Sequence, residues 1–153
     1  MEYGPDMPPS DINVWHQDHT WRKRITRYEL SYDDAAPDVG GDVIYADAVK
    51  ADEALSPLLR EMLRQTTAQN VFAQGYQNLK FGSQGYAQAL LDRPPIEQPV
   101  VACDPLTGDK WLNVNRTYTY GIAELSKVES EAILPMLFAQ TSKPEHCVRV
   151  QDN

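Results

Sequence analysis

Histidine and cysteine are scarce in this sequence, with three and two residues among 153. The two cysteines, Cys103 and Cys147, make no disulfide framework and stand too far apart to form a local chelating pair, so both are read as reduced thiols. Basic residues are also in short supply: 14 Lys and Arg face 22 Asp and Glu, for a formal charge of −8. That balance argues against nucleic acid and anionic membrane as partners. No window reaches the ~18 apolar residues a membrane-crossing helix needs, and the opening MEYGPDMPPSD has neither the basic nor the apolar part of a signal peptide, so the expected location is cytoplasmic. Gly-x-Ser-x-Gly, the P-loop and Gly-x-Gly-x-x-Gly are missing, which removes the common nucleophile and phosphate-cradle signatures.

What remains is ordinary globular composition, 42% hydrophobic and 24% charged, at a length that suits one domain. Residues 1–11, rich in proline, form an irregular lead-in, and residues 12–153 carry the domain. Tyr28, Leu30 and Tyr32 alternate with Glu29 and Ser31 in the rhythm of a half-buried strand, and Asp33 to Gly41 form an acidic loop. A second strand follows, with Val43 and Tyr45 on one face. Ser56 then caps a helix with Pro57 in its first position and an apolar stripe of Leu58, Leu59, Met62 and Leu63.

Another helix is expected from Ser83 to Leu91, ending before Arg93-Pro94-Pro95. PVVAC and KWLNV read as the arms of a hairpin around Pro105 and Gly108. Ser126 and Glu129 make a capping box for a last helix, which is expected to turn Val128, Ala132, Ile133, Met136 and Leu137 inward and to bend near Ile133 because of Pro135. CVRVQ reads as a closing strand.

His16 and Asp18 carry the chemistry. A His-x-Asp pair on an extended segment points both side chains to one face, and an imidazole with a carboxylate suits a borderline divalent ion such as Fe(II). A second histidine would complete a facial triad with three open positions. His19 extends the segment to HQDH without the further upstream histidine of a dizinc hydrolase. His146 is a conceivable third ligand, and its default reading is an exposed side chain near a strand start. The pair alone is a weak signal, because His-x-Asp is common by chance.

Several segments together are more specific: VWHQDHTW (14–21), GGDVIYAD (40–47), EALSPLLREML (53–63), PVVACDPLTGDKWLNVN (99–115) and KVESEAILPMLFAQTSKPEHCVRV (127–150). In order and spacing they resemble the taurine dioxygenase (TauD/TfdA) family. The resemblance covers roughly residues 12 to 150.

It implies an α+β protein, mainly β with flanking helices, built as a partial double-stranded β-helix (jelly roll) of the clavaminate synthase-like kind. It also implies Fe(II) held by His16 and Asp18, with 2-oxoglutarate as cosubstrate. Dioxygen and 2-oxoglutarate would serve to hydroxylate a C–H bond of a small organic acid such as a sulfonate or sulfate ester. Val43 falls where the family commonly has a threonine that helps hold the cosubstrate carboxylate, so Val43 supplies packing at that cosubstrate position. Asp104 and Gln140 replace family histidines near the hairpin proline and in the last helix.

The family's distal iron histidine and cosubstrate arginine fall outside the sequence, as do its first strands, so the chain is expected to be truncated at both ends. Unpaired jelly-roll edges would then favour a homo-oligomer. An inactive binding or assembly module of the same fold is the alternative reading, and a cupin-like metal domain of other chemistry a third.

Overall fold

The computed structural model describes residues 14–30, 32, 41–72 and 82–151. Seven short strands and four α-helices are found among them. They are β1 (Val43–Ala46), α1 (Ala48–Glu53), α2 (Pro57–Leu63), β2 (Thr67–Asn70), α3 (Gly82–Asp92), β3 (Ile96–Pro99), β4 (Val101–Cys103), β5 (Lys110–Leu112), β6 (Thr119–Ile122), α4 (Lys127–Thr141) and β7 (Cys147–Val150), with a 3-10 turn at Pro144–His146.

The strands pair antiparallel in three small sheets, β1-β7, β3-β2-β6 and β4-β5. Val43 lies opposite Val150 and Ala46 opposite Cys147, so the closing strand expected from CVRVQ is present and returns to β1. Between β3 and β4, Val100 is fully buried. Its N–H donates to the Thr66 carbonyl at 3.1 Å and its carbonyl accepts from the Asn113 N–H at 2.8 Å. One residue thus carries the chain from one sheet to the next with both backbone groups satisfied, as burial requires.

The expected hairpin is present, with Val101 opposite Leu112 and Cys103 opposite Lys110. Gly108, at φ +80°, takes the left-handed turn conformation that a Cβ would oppose. Asp104 Oδ1 accepts from the Leu106 and Thr107 N–H groups, and its carboxylate receives Arg27 Nη2 at 2.9 and 3.1 Å. The residue that departs from the family pattern here therefore closes the turn and tethers the segment leading from the His16 motif. The N–H bonds at Leu106 hold the Asp104 carboxyl below its ordinary range, with Arg27 adding to the effect.

Helix starts follow their caps. The Asp47 carboxylate accepts from the Val49 and Lys50 N–H groups at 3.0 Å, and Ser56 caps α2 ahead of Pro57. Ser126 and Glu129 form the complete capping box of α4. The core joins α1, α2, α4 and the sheets through Ala51, Leu63, Ala68, Leu112, Ile122, Leu134 and Leu137. Asp52, fully buried on α1, receives Arg60 of α2 at 2.9 Å, and Gln140 of α4 donates to the Ala51 carbonyl. The second departure from the family pattern, Gln140, is thus a strut between two helices.

Three expectations fail. Among the described residues, Tyr28, Leu30 and Tyr32 belong to no strand and lie exposed, Leu30 at 97%, with no described strand paired to them. In α4 the buried positions are Ser130, Leu134, Leu137 and Gln140, while Val128 is 75% exposed and Ala132 and Met136 also face out. Apolar residues surround this helix, so periodicity alone does not single out its inner face. In α2, Leu63 is fully buried but Leu58 is exposed. The loop expected from Asp33 lies outside the described residues up to Gly40.

Candidate metal centre and its cavity

Residues 14–17 belong to no strand, and a turn begins at Asp18, closed by the Arg22 N–H on the His19 carbonyl at 2.8 Å with His19 at φ 60°. His16 Nε2 and Asp18 Oδ1 nevertheless stand 3.7 Å apart. Two donors that each approach one ion to about 2.1 Å can be no more than about 4.2 Å apart, so this spacing admits a shared ion. His16 Nδ1 lies 2.7 Å from the Val14 carbonyl, which can only accept. Nδ1 therefore carries the proton and Nε2 presents its lone pair, the tautomer a metal ligand needs. The donor set fits Fe(II).

The Glu29 carboxyl hydrogen-bonds Asp18, and this bond, with the repulsion between the two carboxylates, pushes the Glu29 pKa up. Among the described residues no group of three or more His, Cys, Asp and Glu is arranged to hold a metal. His146 corrects its default reading: it is only 9% exposed, in the 3-10 turn, where its carbonyl accepts from the Asp47 N–H and its Nε2 is buried without a hydrogen-bond partner. Val43 starts β1 opposite Val150, half-exposed. Its strand neighbours Ile44, Tyr45 and Ala46 share a cavity wall with His16, whereas Val43 is not part of that lining.

That cavity, of about 1440 Å³, is walled by the His16 segment, by β1, by Trp111 to Thr117 and by one face of α4 including Pro135 and Phe138. The sequence signals missed the polar network that positions it. Thr20, two residues beyond Asp18 and fully buried, accepts from Asn115 Nδ2 at 3.0 Å. Asn115 Oδ1 accepts from the Thr117 and Tyr118 N–H groups, and the Thr119 hydroxyl donates to Asn70 Oδ1 at 2.7 Å. These bonds fasten the His16 turn to the β2-β6 ladder.

Beyond the turn, Trp21 meets Phe72 edge-on at 4.6 Å, and the Arg93 guanidinium lies over both rings. Gln98 Nε2 donates to the Arg22 carbonyl at 2.8 Å. The motif loop is thereby anchored at its C-terminal side, through residues 20–22.

The family profile for taurine catabolism dioxygenase TauD, TfdA family, matches residues 2–151. Among similar proteins, an alpha-ketoglutarate-dependent dioxygenase of Penicillium expansum, cnsP, is 37% identical over 107 residues, covering 68% of this chain and 28% of that protein. An alpha-ketoglutarate-dependent sulfonate dioxygenase of Saccharomyces cerevisiae is 30% identical over 126 residues, covering 81% of this chain and 29% of its own length. The chain thus spans under a third of each. Among solved structures, AAD-2 in complex with Mn(II) and N-oxalylglycine superposes with a TM-score of 0.79 at 18% identity, over 94% of this chain and 56% of that one. At that identity the likeness speaks for the fold alone, and it makes the three small sheets part of a jelly roll. The chain belongs to the TauD/TfdA family of dioxygenases, whose members work with Fe(II) and 2-oxoglutarate.

Proposed function

We propose that this chain carries part of the active centre of an Fe(II)- and 2-oxoglutarate-dependent dioxygenase that hydroxylates a C–H bond of a small organic acid, a sulfonate or sulfate ester being the favoured class. The observation that carries this reading is the convergence of His16 Nε2 and Asp18 Oδ1 at 3.7 Å beside a large cavity. Bound iron with 2-oxoglutarate and dioxygen would supply the oxidising power, giving succinate, carbon dioxide and the hydroxylated product.

The chain's residues do the rest. His16 and Asp18 offer two ligands, with the imidazole fixed by the Val14 carbonyl. The Thr20–Asn115 bond keeps their turn against the sheet. Trp15, Trp111 and Phe138 form an apolar wall that excludes water and seats a substrate body. Val43, at the strand end and outside the cavity lining, would bear on the cosubstrate position only by packing of β1 and not by a hydrogen bond. The sulfonate class is supported by the sulfonate dioxygenase of Saccharomyces cerevisiae.

A binding module of the same fold is the second reading. It is favoured by the absence, among the described residues, of a third ligand beside His16 and Asp18. The deciding experiment supplies Fe(II), 2-oxoglutarate, dioxygen and an alkylsulfonate and measures succinate. Succinate formation that disappears in Asp18→Ala supports the dioxygenase, and equal succinate from the variant refutes it.

A further inference from the structure

Charge in the cavity wall is sparse and uneven. Besides His16, the lining residues that carry charge are Arg116 and Glu131. Glu131 already faces Lys127 at 3.7 Å, one turn back on α4. Arg116 makes no ion pair among the described residues, although the chain carries eight more acidic than basic groups. A guanidinium has five N–H donors and no acceptor, so an unpaired one on a cavity wall is suited to an oxyanion.

The Arg116 side chain is solvent-exposed, and its backbone is held in place. Arg116 sits inside the turn that Asn115 Oδ1 closes by accepting from the Thr117 and Tyr118 N–H groups, and the same Asn115 side chain bonds Thr20 of the metal motif. Next to it, the Thr117 hydroxyl is buried without a hydrogen-bond partner on the same wall. The guanidinium offers donors to an anionic head group, and the unpaired hydroxyl can join it once its side chain rotates toward the cavity. Around them the wall is apolar, through Trp15, Ile44, Trp111 and Phe138. Among the described lining residues the one carboxylate, Glu131, is already paired with Lys127 and so is not free to meet a cationic amine.

We propose that Arg116, with Thr117, binds the oxyanion head of an amphiphilic acid whose alkyl or aryl body lies against the tryptophan-lined wall. The inference deepens the dioxygenase reading and rests on it for the fate of the ligand, but not for its binding. The same oxyanion chemistry is present in a sulfonate substrate and in the carboxylates of 2-oxoglutarate, and the assignment made here is to the substrate.

The test uses the 153-residue chain and follows the fluorescence of its tryptophans, two of which line the cavity, during titration with hexane-1-sulfonate. Wild type should saturate, Arg116→Gln should bind at least about tenfold more weakly, Arg116→Lys should fall between, and taurine, with its ammonium, should bind at least about tenfold more weakly than hexane-1-sulfonate. N-oxalylglycine, titrated with Mn(II), should bind wild type and Arg116→Gln alike. Absence of hexane-1-sulfonate binding in folded wild type overturns the proposal. So does equal affinity in Arg116→Gln, or a loss in that variant confined to N-oxalylglycine. Because the sulfonate titration needs no metal, EDTA should leave it unchanged; Arg116-dependent binding without any Mn(II) binding would sink the metal-site reading and leave this one standing.

Discussion

Replacing Asn115 with alanine probes the link between the His16 turn and the sheet. The side chain makes three hydrogen bonds: Nδ2 to the Thr20 hydroxyl at 3.0 Å, and Oδ1 from the Thr117 and Tyr118 N–H groups at 3.1 and 3.0 Å. Each is worth about 1 kcal/mol net, and stranding a buried hydroxyl costs about 1–3 kcal/mol more. Thr20 is fully buried and Asn115 nearly so, so water does not easily replace the lost partners. Asn115→Ala should therefore destabilise the fold by about 4–6 kcal/mol, a large share of the roughly 5–15 kcal/mol typical of a domain. Thr20→Val removes only the shared bond and should cost about 1–2 kcal/mol.

Urea denaturation of both single variants and the double variant gives the coupling energy directly, expected near 1 kcal/mol in favour of the native pair. If Asn115→Ala cost under about 1 kcal/mol and the two substitutions were additive, the network would not be what fastens the turn.

Two further outcomes follow from the packing and the charges. Leu137→Ala, at a fully buried position of α4, should cost about 2–5 kcal/mol in the same denaturation assay, while Val128→Ala on the exposed face should change stability by under about 0.5 kcal/mol; a cost at Val128 comparable to that at Leu137 would restore the helix phase expected from the sequence, which turned both inward. Glu124 Oε2 accepts from the Thr67 N–H at 2.7 Å, which lowers the Glu124 pKa below the ordinary carboxylate range. The folded state then binds fewer protons than the unfolded one, so this stabilisation is present above the ordinary carboxylate pKa and is lost as pH falls through the lowered value. A Glu124→Gln variant should show a flatter acid limb in stability against pH, and an unchanged limb would contradict the assignment.

The parts of the fold that could be read from the sequence were those with local chemical signatures. Asp47 excepted, the caps were visible as Ser56-Pro57 and Ser126 with Glu129, and the hairpin as Pro105 and Gly108 between two apolar runs. β2 was not visible. Its inward positions are Ala68 and Asn70, so the apolar alternation that marks a strand is absent, although the strand lies in the middle of its sheet. α1 was missed for a similar reason, since its buried residues are Ala51 and Asp52, the latter neutralised by Arg60 from α2.

Of the candidate site, His16 and Asp18 were readable because two residues of the right kind stand in one short motif. The Thr20, Asn115, Thr119 and Asn70 network was not, because polar residues read as surface until a partner far along the chain buries them. Tyr28, Leu30 and Tyr32 show the converse: strand-like alternating residues remain exposed where no described strand lies alongside.

The claim on which the account turns is that one imidazole and one carboxylate near the amino end share a divalent ion. Electron paramagnetic resonance of Mn(II), titrated anaerobically into the chain with N-oxalylglycine, measures it without requiring turnover. Loss of the free-ion signal on wild type, with affinity reduced at least about tenfold in both His16→Ala and Asp18→Asn, is the predicted result. Equal Mn(II) affinity in wild type and both variants would contradict it.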